Sequence, residues 1–450
     1  MERKMRQARD GESKAATEQF GMIEHEGRKA ILAEIHARPF QPVEAPRRIY
    51  HFAFATGEEK ASDDSKAIAD LCARRGVAKP AEDAKFHYVQ LADWDLRWEQ
   101  HTEFTTYTWS TTLDAAEPFL HPDPLGANEI AFLAPGALLV ATHLALIEGG
   151  PSHESLAALF NVQSLCIVGA AKGAAQILTD FTLDPHGFTR LLVRSDKLGA
   201  IRAGRLVQRV LEIETYRTLA LLGLPEARRA GPDLERMERE ITEINQALSE
   251  ARAERTSEDL LKRLSDLLAG SEALSTQMAF RFGASRAYHA IVKNRLDLIR
   301  EAKLGSYTTI SAFFSARLDP AIETCNAIEA RQARLSSQVV RAIDLMRTGI
   351  TFELEQQNRD LLEDMNRRAR LQLRLQGFVQ GLSTAALAYY LSGLTVYLAK
   401  GMRDAEWLPK NVTADMFVAM ALPLTIFASW SFMERMRRLT MKAREEEKVN

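Results

Sequence analysis

The stretch GFVQGLSTAALAYYLSGLTVYLA, Gly377 to Ala399, contains no charged residue. Its reading decides how the rest of the chain is organised. A helix needs roughly 20 residues to cross the hydrocarbon of a bilayer, so an uncharged apolar run of this length is a transmembrane candidate. A second uncharged run, MFVAMALPLTIFASWSFM from Met416 to Met433, follows after a short polar interval and carries Pro423. Both runs are flanked by charge, whereas a buried core helix of similar length normally keeps polar positions toward solvent. The two runs predict a membrane hairpin over 377–433, with 377–399 and 416–433 in the bilayer.

Basic residues outside the hairpin set its orientation. Arg367, Arg368, Arg370 and Arg374 precede the first run, and Arg435, Arg437, Arg438, Lys442 and Arg444 follow the second. Between them Lys400, Arg403 and Lys410 are balanced by Asp404, Glu406 and Asp415. Cytoplasmic flanks carry the excess of Lys and Arg, so both termini are expected in the cytoplasm, with 434–450 as a basic tail. Trp407 and Trp430 fall where indole rings favour the headgroup region.

Working toward the N-terminus, no proline occurs between Pro320 and Pro409. Asp319 and Pro320 suit a helix start. Apolar residues then recur at Val339, Ile343, Met346 and Ile350 and, after the polar Gln357, at Leu361 and Met365. This is helical spacing with a drifting seam, and Gly349 is the expected interruption. Such a helix spans about 80 residues, on the order of 120 Å at 1.5 Å per residue, and requires partners. Leu234, Met237, Ile241, Ile244 and Leu248 recur three and four apart, as on a coiled-coil face. A second helix restarts at TSEDLLKRLSDLL, with Thr256 and Asp259 at capping-box-like spacing and apolar Leu260, Leu261, Leu264, Leu267 and Leu268. Residues 201–376 therefore form a helical stalk, folded on itself, in contact with other subunits, or both.

Before residue 200 the texture alternates between strand and helix. RRIYHFAFAT (47–56), AKFHYVQLADW (84–94), TEFTTYTW (102–109) and FTRLLVRS (188–195) are strand-like, and 61–75 is a polar helix. EIAFLAPGALLVATHLALIE (129–148) suggests a strand leading into a helix or second strand. SLCIVGAAKGAAQILTDF (164–181) suggests a strand, a glycine turn and a helix. The fold class is α+β: a charged segment 1–20, a mixed α/β domain over 21–200, the stalk and the membrane hairpin.

The net charge of −2 and pI of about 6.6 give no global attraction for nucleic acid, so no nucleic-acid partner is expected. Cys72, Cys166 and Cys325 lie far apart and form no Cys-x-x-Cys pair, which fits a reducing compartment without a thiolate zinc site. The charged N-terminus lacks the apolar region of a secretory signal. No cofactor motif is legible. In Gly169–Gly173 the order Lys172-Gly173 inverts the Gly-Lys-Ser/Thr of a phosphate loop, leaving a tight turn.

Polar candidates remain in two places. In RWEQHTEFTTYTW (97–109), His101 and Glu103 stand two apart, hence on one face of a strand, amid good strand-forming residues. In IHARPF (35–40), His36 and Arg38 form a second cluster that would converge with the first if both served one catalytic site. No metal set accompanies either. In the first span Gly377, Gly381 and Ala385 fall four apart and form a small-residue packing face, while Gln380, Thr384 and Thr395 are the polar side chains available to a pore.

The segments EIHARPF, RWEQHTEFTTYT, RLVQRVLEIETYRTLALLGLPEAR, RFGASRAYHAIV and QNRDLLEDMNRRARLQLRLQGFVQGLSTAALAYY resemble a bacterial family of uncharacterised, predicted membrane-anchored proteins, classed as a domain of unknown function. The likeness runs over nearly the full length. It implies a bacterial inner-membrane location and no particular activity. In build, a mixed body, a long stalk helix entering the first span, a short outer loop and a basic tail also resemble CorA-type magnesium channels. Those are pentameric and end their first span in Gly-Met-Asn. Here Gly401-Met402-Arg403 follows Lys400, and a ring of arginines opposes cation entry. The leading expectation is a membrane-anchored, homo-oligomeric scaffold or regulatory protein with the lipid bilayer as partner. A CorA-like ion pathway for an unknown ion and a membrane-tethered enzyme are the alternatives.

Overall fold

The computed structural model describes residues 40–81, 84–120, 134–250, 254–405 and 413–446, with isolated positions outside them. The chain divides into two compact units, Met1–Ile343 and Asp344–Asn450.

The described residues of the first unit form a nine-stranded sheet and the helices packed on it. The strands are β1 (Arg47–Ala55), β2 (Phe86–Leu91), β3 (Trp94–Gln100), β4 (Phe104–Thr112), β5 (Ala137–Glu148), β6 (Cys166–Ala170), β7 (Ala175–Leu183), β8 (Thr189–Ser195) and β9 (Ala302–Lys303). They stand in the order β2-β3-β4-β1-β5-β8-β7-β6-β9. Neighbours are antiparallel except β5 and β8, which are parallel. The helices are α1 (Gly57–Arg74), α2 (His153–Ala157), α3 (Ala200–Leu221), α4 (Gly223–Glu250), α5 (Glu254–Ile299) and α6 (Ile310–Asp404), with α7 (Ala414–Glu446) in the second unit.

β3, WDLRWEQ, shows why the sheet has two chemically different faces. Successive side chains of a strand point to opposite sides, and here Trp94, Leu96 and Trp98 are buried while Asp95, Arg97 and Glu99 face the other way. The first set joins Tyr50, Tyr107 and Trp109 in an aromatic layer against Ile68, Leu71 and Cys72 of α1. Inside that layer Asp64 of α1 accepts from Trp98 Nε1 at 2.9 Å and from the Tyr107 hydroxyl. Burial pushes the Asp64 carboxyl above the usual carboxylate range, while hydrogen bonds from Tyr107, Thr105 and Trp98 act in the opposite direction. On the opposite face Ile49, Leu144, Leu146, Ile177, Leu191 and Val193 pack with Leu206, Val207 and Val210 of α3 and with Phe313 and Phe314 of α6. Fully burying such side chains contributes roughly 1.5–3 kcal/mol each.

Of the helical repeats of the sequence, Leu234, Ile241 and Ile244 on α4, Leu260, Leu264 and Leu267 on α5, and Val339, Ile343 and Met346 on α6 are buried, whereas Leu361 and Met365, the expected continuation of the α6 seam, are exposed. Between α5 and α6 a polar seam breaks the apolar contact. Gln332 Nε2 donates to the Ser271 carbonyl at 3.1 Å, and the Ser271 and Ser336 hydroxyls lie 2.9 Å apart.

Three local expectations are corrected. The segment after the glycine turn is strand β7 and not a helix. Ala171, Lys172 and Gly173 all have positive φ, which reverses the chain so that Ala170 pairs with Ala175. Of the 129–148 segment, described from residue 134 on, Ala137–Glu148 forms strand β5, in keeping with the second-strand alternative. Helix α6 starts at Ile310 and not at Pro320, because the Glu301 carboxylate accepts from the Ile310 and Ser311 amides (3.1 and 3.0 Å) and Thr309 Oγ1 accepts from the Ala312 amide (3.2 Å). Pro320 therefore lies inside α6, and Gly349 does not interrupt it.

In the second unit every residue of α6 from 351 to 383 is exposed. Two helical segments are long and apolar enough to cross a membrane: α6 contains a window of mean hydropathy 1.3, and Asp415–Arg435 of α7 one of 1.7. Partial burial begins at Thr384 and recurs at Ala388, Thr395 and Ala399 on α6, and at Ala421, Thr425, Ser429 and Met433 on α7. On α7 the spacing is four and the side chains other than Met433 are small, as in close helix packing in lipid.

Candidate functional site

The stretch 97–109 is a hairpin, β3 turning into β4, and its two faces do different work. Trp98, Tyr107 and Trp109 belong to the aromatic layer. Arg97, Glu99, Phe104, Thr106 and Thr108 line a cavity of about 610 Å³ between the β2-β3-β4-β1 part of the sheet, helix α3 and the segment 40–44. That volume is within the range of small-molecule sites. Gly204 holds the segment against α3: a Cβ there would sit 2.0 Å from the Gln41 carbonyl oxygen. The Val43 amide, donating to the Ala200 carbonyl at 3.0 Å, fixes the same contact.

Charge crosses the cavity wall in an ordered chain. Arg97 donates through Nη2 to Glu99 at 2.8 Å and through Nη1 to Gln208 Oε1 at 3.1 Å. Gln208 Nε2 donates to Glu212 at 2.9 Å, and Glu212 also accepts from Arg295 Nε. The chain joins β3 to α3 to α5. Beside it Arg47 pairs with Asp95 and reaches Ser110 Oγ at 3.4 Å. Ion pairs withdrawn from water gain little net stability over an apolar wall, so their presence marks a surface built to present polar groups. Thr106, 3% exposed, also faces the cavity, and its hydroxyl has no hydrogen-bond partner among the described residues.

His51 sits at the buried end, flanked by two hydroxyls. Thr215 Oγ1 donates to the Leu211 carbonyl at 2.9 Å and so accepts from His51 Nε2 at 2.9 Å. Nδ1 is left to accept from Thr108 Oγ1 at 2.8 Å, which selects the neutral Nε2–H tautomer. Burial, reinforced by the Arg97 charge, lowers this imidazole to about 3. It is uncharged at physiological pH.

His101 and Glu103 lie in the β3–β4 turn and not on a strand, so strand alternation does not govern their facing. His101 lines the cavity and stacks on Phe104, with ring centroids 4.2 Å apart. Glu103 turns to α5, where its carboxylate accepts from Tyr288 at 2.8 Å and Arg281 at 3.3 Å. Burial and this carboxylate raise the Tyr288 phenol well above its ordinary range. His36 and Arg38 lie outside the described residues. Among the described residues, no group of three His, Cys, Asp or Glu side chains is placed to hold a metal ion. In the second unit Gly377, Gly381, Ala385 and Gln380 are exposed. The Thr384 and Thr395 hydroxyls donate to the carbonyls of Gln380 and Leu391 within their own helix.

Sequence reasoning missed Arg47, His51, Asp95, Arg97, Glu99, Gln208, Glu212 and Arg295. The alternation in WDLRWEQ was a usable signal for three of them, but a charged strand face ordinarily meets solvent. Here α3 covers it.

No curated protein matches this chain. A family described as "Protein of unknown function (DUF3422)" matches residues 23–440. The chain belongs to that family.

Proposed function

We propose that the chain is a membrane-anchored regulatory or scaffold protein whose cytoplasmic body receives a small molecule in the cavity between β3, β4 and α3. The observation that carries this reading is a cavity of about 610 Å³ walled by ion pairs, in a chain that also has two uncovered apolar helices. An enzyme built on His101 and Glu103 is less favoured, because the Glu103 carboxylate is committed to Tyr288 and Arg281. A CorA-like pore is also less favoured, because the two hydroxyls of the first span bond to helix carbonyls and Arg403 adds positive charge at its end.

The basic flanks support a cytoplasmic location for both termini. Reporter fusions after Trp407 and at the C-terminus are expected to give opposite topology signals in bacterial cells. Matching signals would remove the hairpin, and with it the anchoring part of the reading.

The assembly is a homo-oligomer whose first spans meet over Gly377, Gly381 and Ala385. These residues are exposed, whereas the buried stripe runs through Thr384, Ala388, Thr395 and Ala399. Small residues four apart permit close backbone approach in lipid, where the hydrophobic effect does not drive helices together. Gly381→Ile is expected to reduce the assembly size measured by light scattering in mild detergent. An unchanged size, or a monomeric wild type, overturns this interface.

A further inference from the structure

Three of the four carboxylates lining the cavity are matched by arginines: Asp95 by Arg47, Glu99 by Arg97 and Glu212 by Arg295. The fourth, Glu44, is on the exposed segment 40–44. The fourth arginine of the lining, Arg209 on α3, has no carboxylate partner among the described residues. One of its N–H groups, at Nη1, donates to the Leu298 carbonyl at 3.3 Å, which leaves other donors of the guanidinium unengaged. The charges of Arg295, Arg205 and Arg300 oppose its own, and that of Glu212 favours it. Burial first, then these like charges, lower the Arg209 guanidinium from its ordinary range. Arg205 lies over the ring of Phe40, 5.3 Å from its centroid, and Phe40 lines the cavity. Arg209 in the lining and Arg205 over Phe40, one turn apart on α3, thus place positive charge at this part of the wall. Phe40, Tyr88, Val207 and Leu298 supply apolar and aromatic surface in the same lining. A second, independent feature points to a polar occupant: the Thr106 hydroxyl, buried on the cavity wall, has no partner among the described residues.

We propose that this cavity binds a small organic anion, its carboxylate or phosphate held by Arg209 with Arg205, and its apolar body lying against Phe40, Tyr88 and Val207. The inference rests on the reading of the cavity as a ligand site and adds the charge and shape of what enters. Guanidinium groups present paired N–H donors that match both carboxylate and phosphate oxygens.

The test uses the full chain in lipid nanodiscs, with calorimetric titration of phenyl phosphate, phenylacetate, benzyl alcohol and inorganic phosphate. Phenyl phosphate or phenylacetate is expected to bind at least about tenfold more tightly than benzyl alcohol, and more weakly as salt is raised. Inorganic phosphate is expected to bind more weakly than phenyl phosphate, because it lacks the apolar body. The two organic anions rank phosphate against carboxylate as the preferred head.

Arg205→Gln and Arg209→Gln are each expected to weaken anion binding about tenfold. Arg209 also holds the last turn of α5, so Arg205→Gln, on an exposed residue, keeps the test independent of folding. If benzyl alcohol binds as tightly as the anions, or both variants retain wild-type anion affinity, the anion assignment is overturned while the cavity reading stands. If none of the four probes binds at millimolar concentration, both fall.

Discussion

Trp98→Ala is expected to destabilise the first unit by about 3–5 kcal/mol, the range for removing a large aromatic side chain from a packed core. Trp98 is fully buried, at 0% exposure, between β3 and α1. The substitution also removes the Nε1 donor to Asp64, whose side chain is equally inaccessible. A buried carboxylate that loses one donor keeps its desolvation cost and loses part of the compensation. Trp98→Phe isolates that component: it keeps most of the ring volume and is expected to cost about 1–2 kcal/mol. His101→Ala, which leaves the aromatic layer intact, is expected to change stability by under about 1 kcal/mol. Thermal and denaturant unfolding of the full chain in detergent measures all three. A Trp98→Ala protein as stable as the wild type would show that the aromatic layer is not the core of this sheet.

Arg97→Met is the second large effect, expected at about 3 kcal/mol, because it strands Glu99 as an unpaired charge in a site where its side chain is only 12% exposed. It also removes the donor to Gln208 and the guanidinium 5.5 Å from the Phe86 ring centroid. The double substitution Arg97→Met with Glu99→Gln replaces the stranded charge by a neutral amide. It is expected to recover about half of the loss, since an absent buried pair costs less than a broken one. Unfolding midpoints of the two variants decide the matter. If the single substitution costs under about 1 kcal/mol, water reaches Glu99 freely and the cavity wall is a solvated surface.

Local pattern alone was enough for the features that depend on neighbouring residues in the chain. The uncharged runs at 377–399 and 416–433 mark membrane-crossing candidates because the length and hydropathy of one segment determine whether it can enter lipid. The apolar repeats of α4 and α5 and of α6 as far as Met346 show their buried faces because helical periodicity is a property of a single helix. The same reasoning failed where one substituent several residues away decides the outcome. Glu301 caps α6 from outside the helix and moves its start ten residues upstream of Pro320. Positive φ at Lys172 turns an apparent strand–turn–helix into a hairpin.

Apart from His101, which the sequence singled out and which lines the cavity, the site belongs to this second class. Asp95, Arg97 and Glu99 alternate with tryptophan and leucine, and alternation alone describes an ordinary half-exposed strand. What makes them a cavity wall is α3, more than a hundred residues later, laid over them with Gln208 and Glu212 in reach of Arg97 and Arg295. His51 has no distinguishing local context, and it becomes a buried neutral imidazole only because Thr108 and Thr215 close on it from a strand and a helix. Composition and periodicity report what each segment buries. Which polar groups meet inside the fold is decided by tertiary packing, because desolvation and pairing depend on neighbours that are remote in the chain.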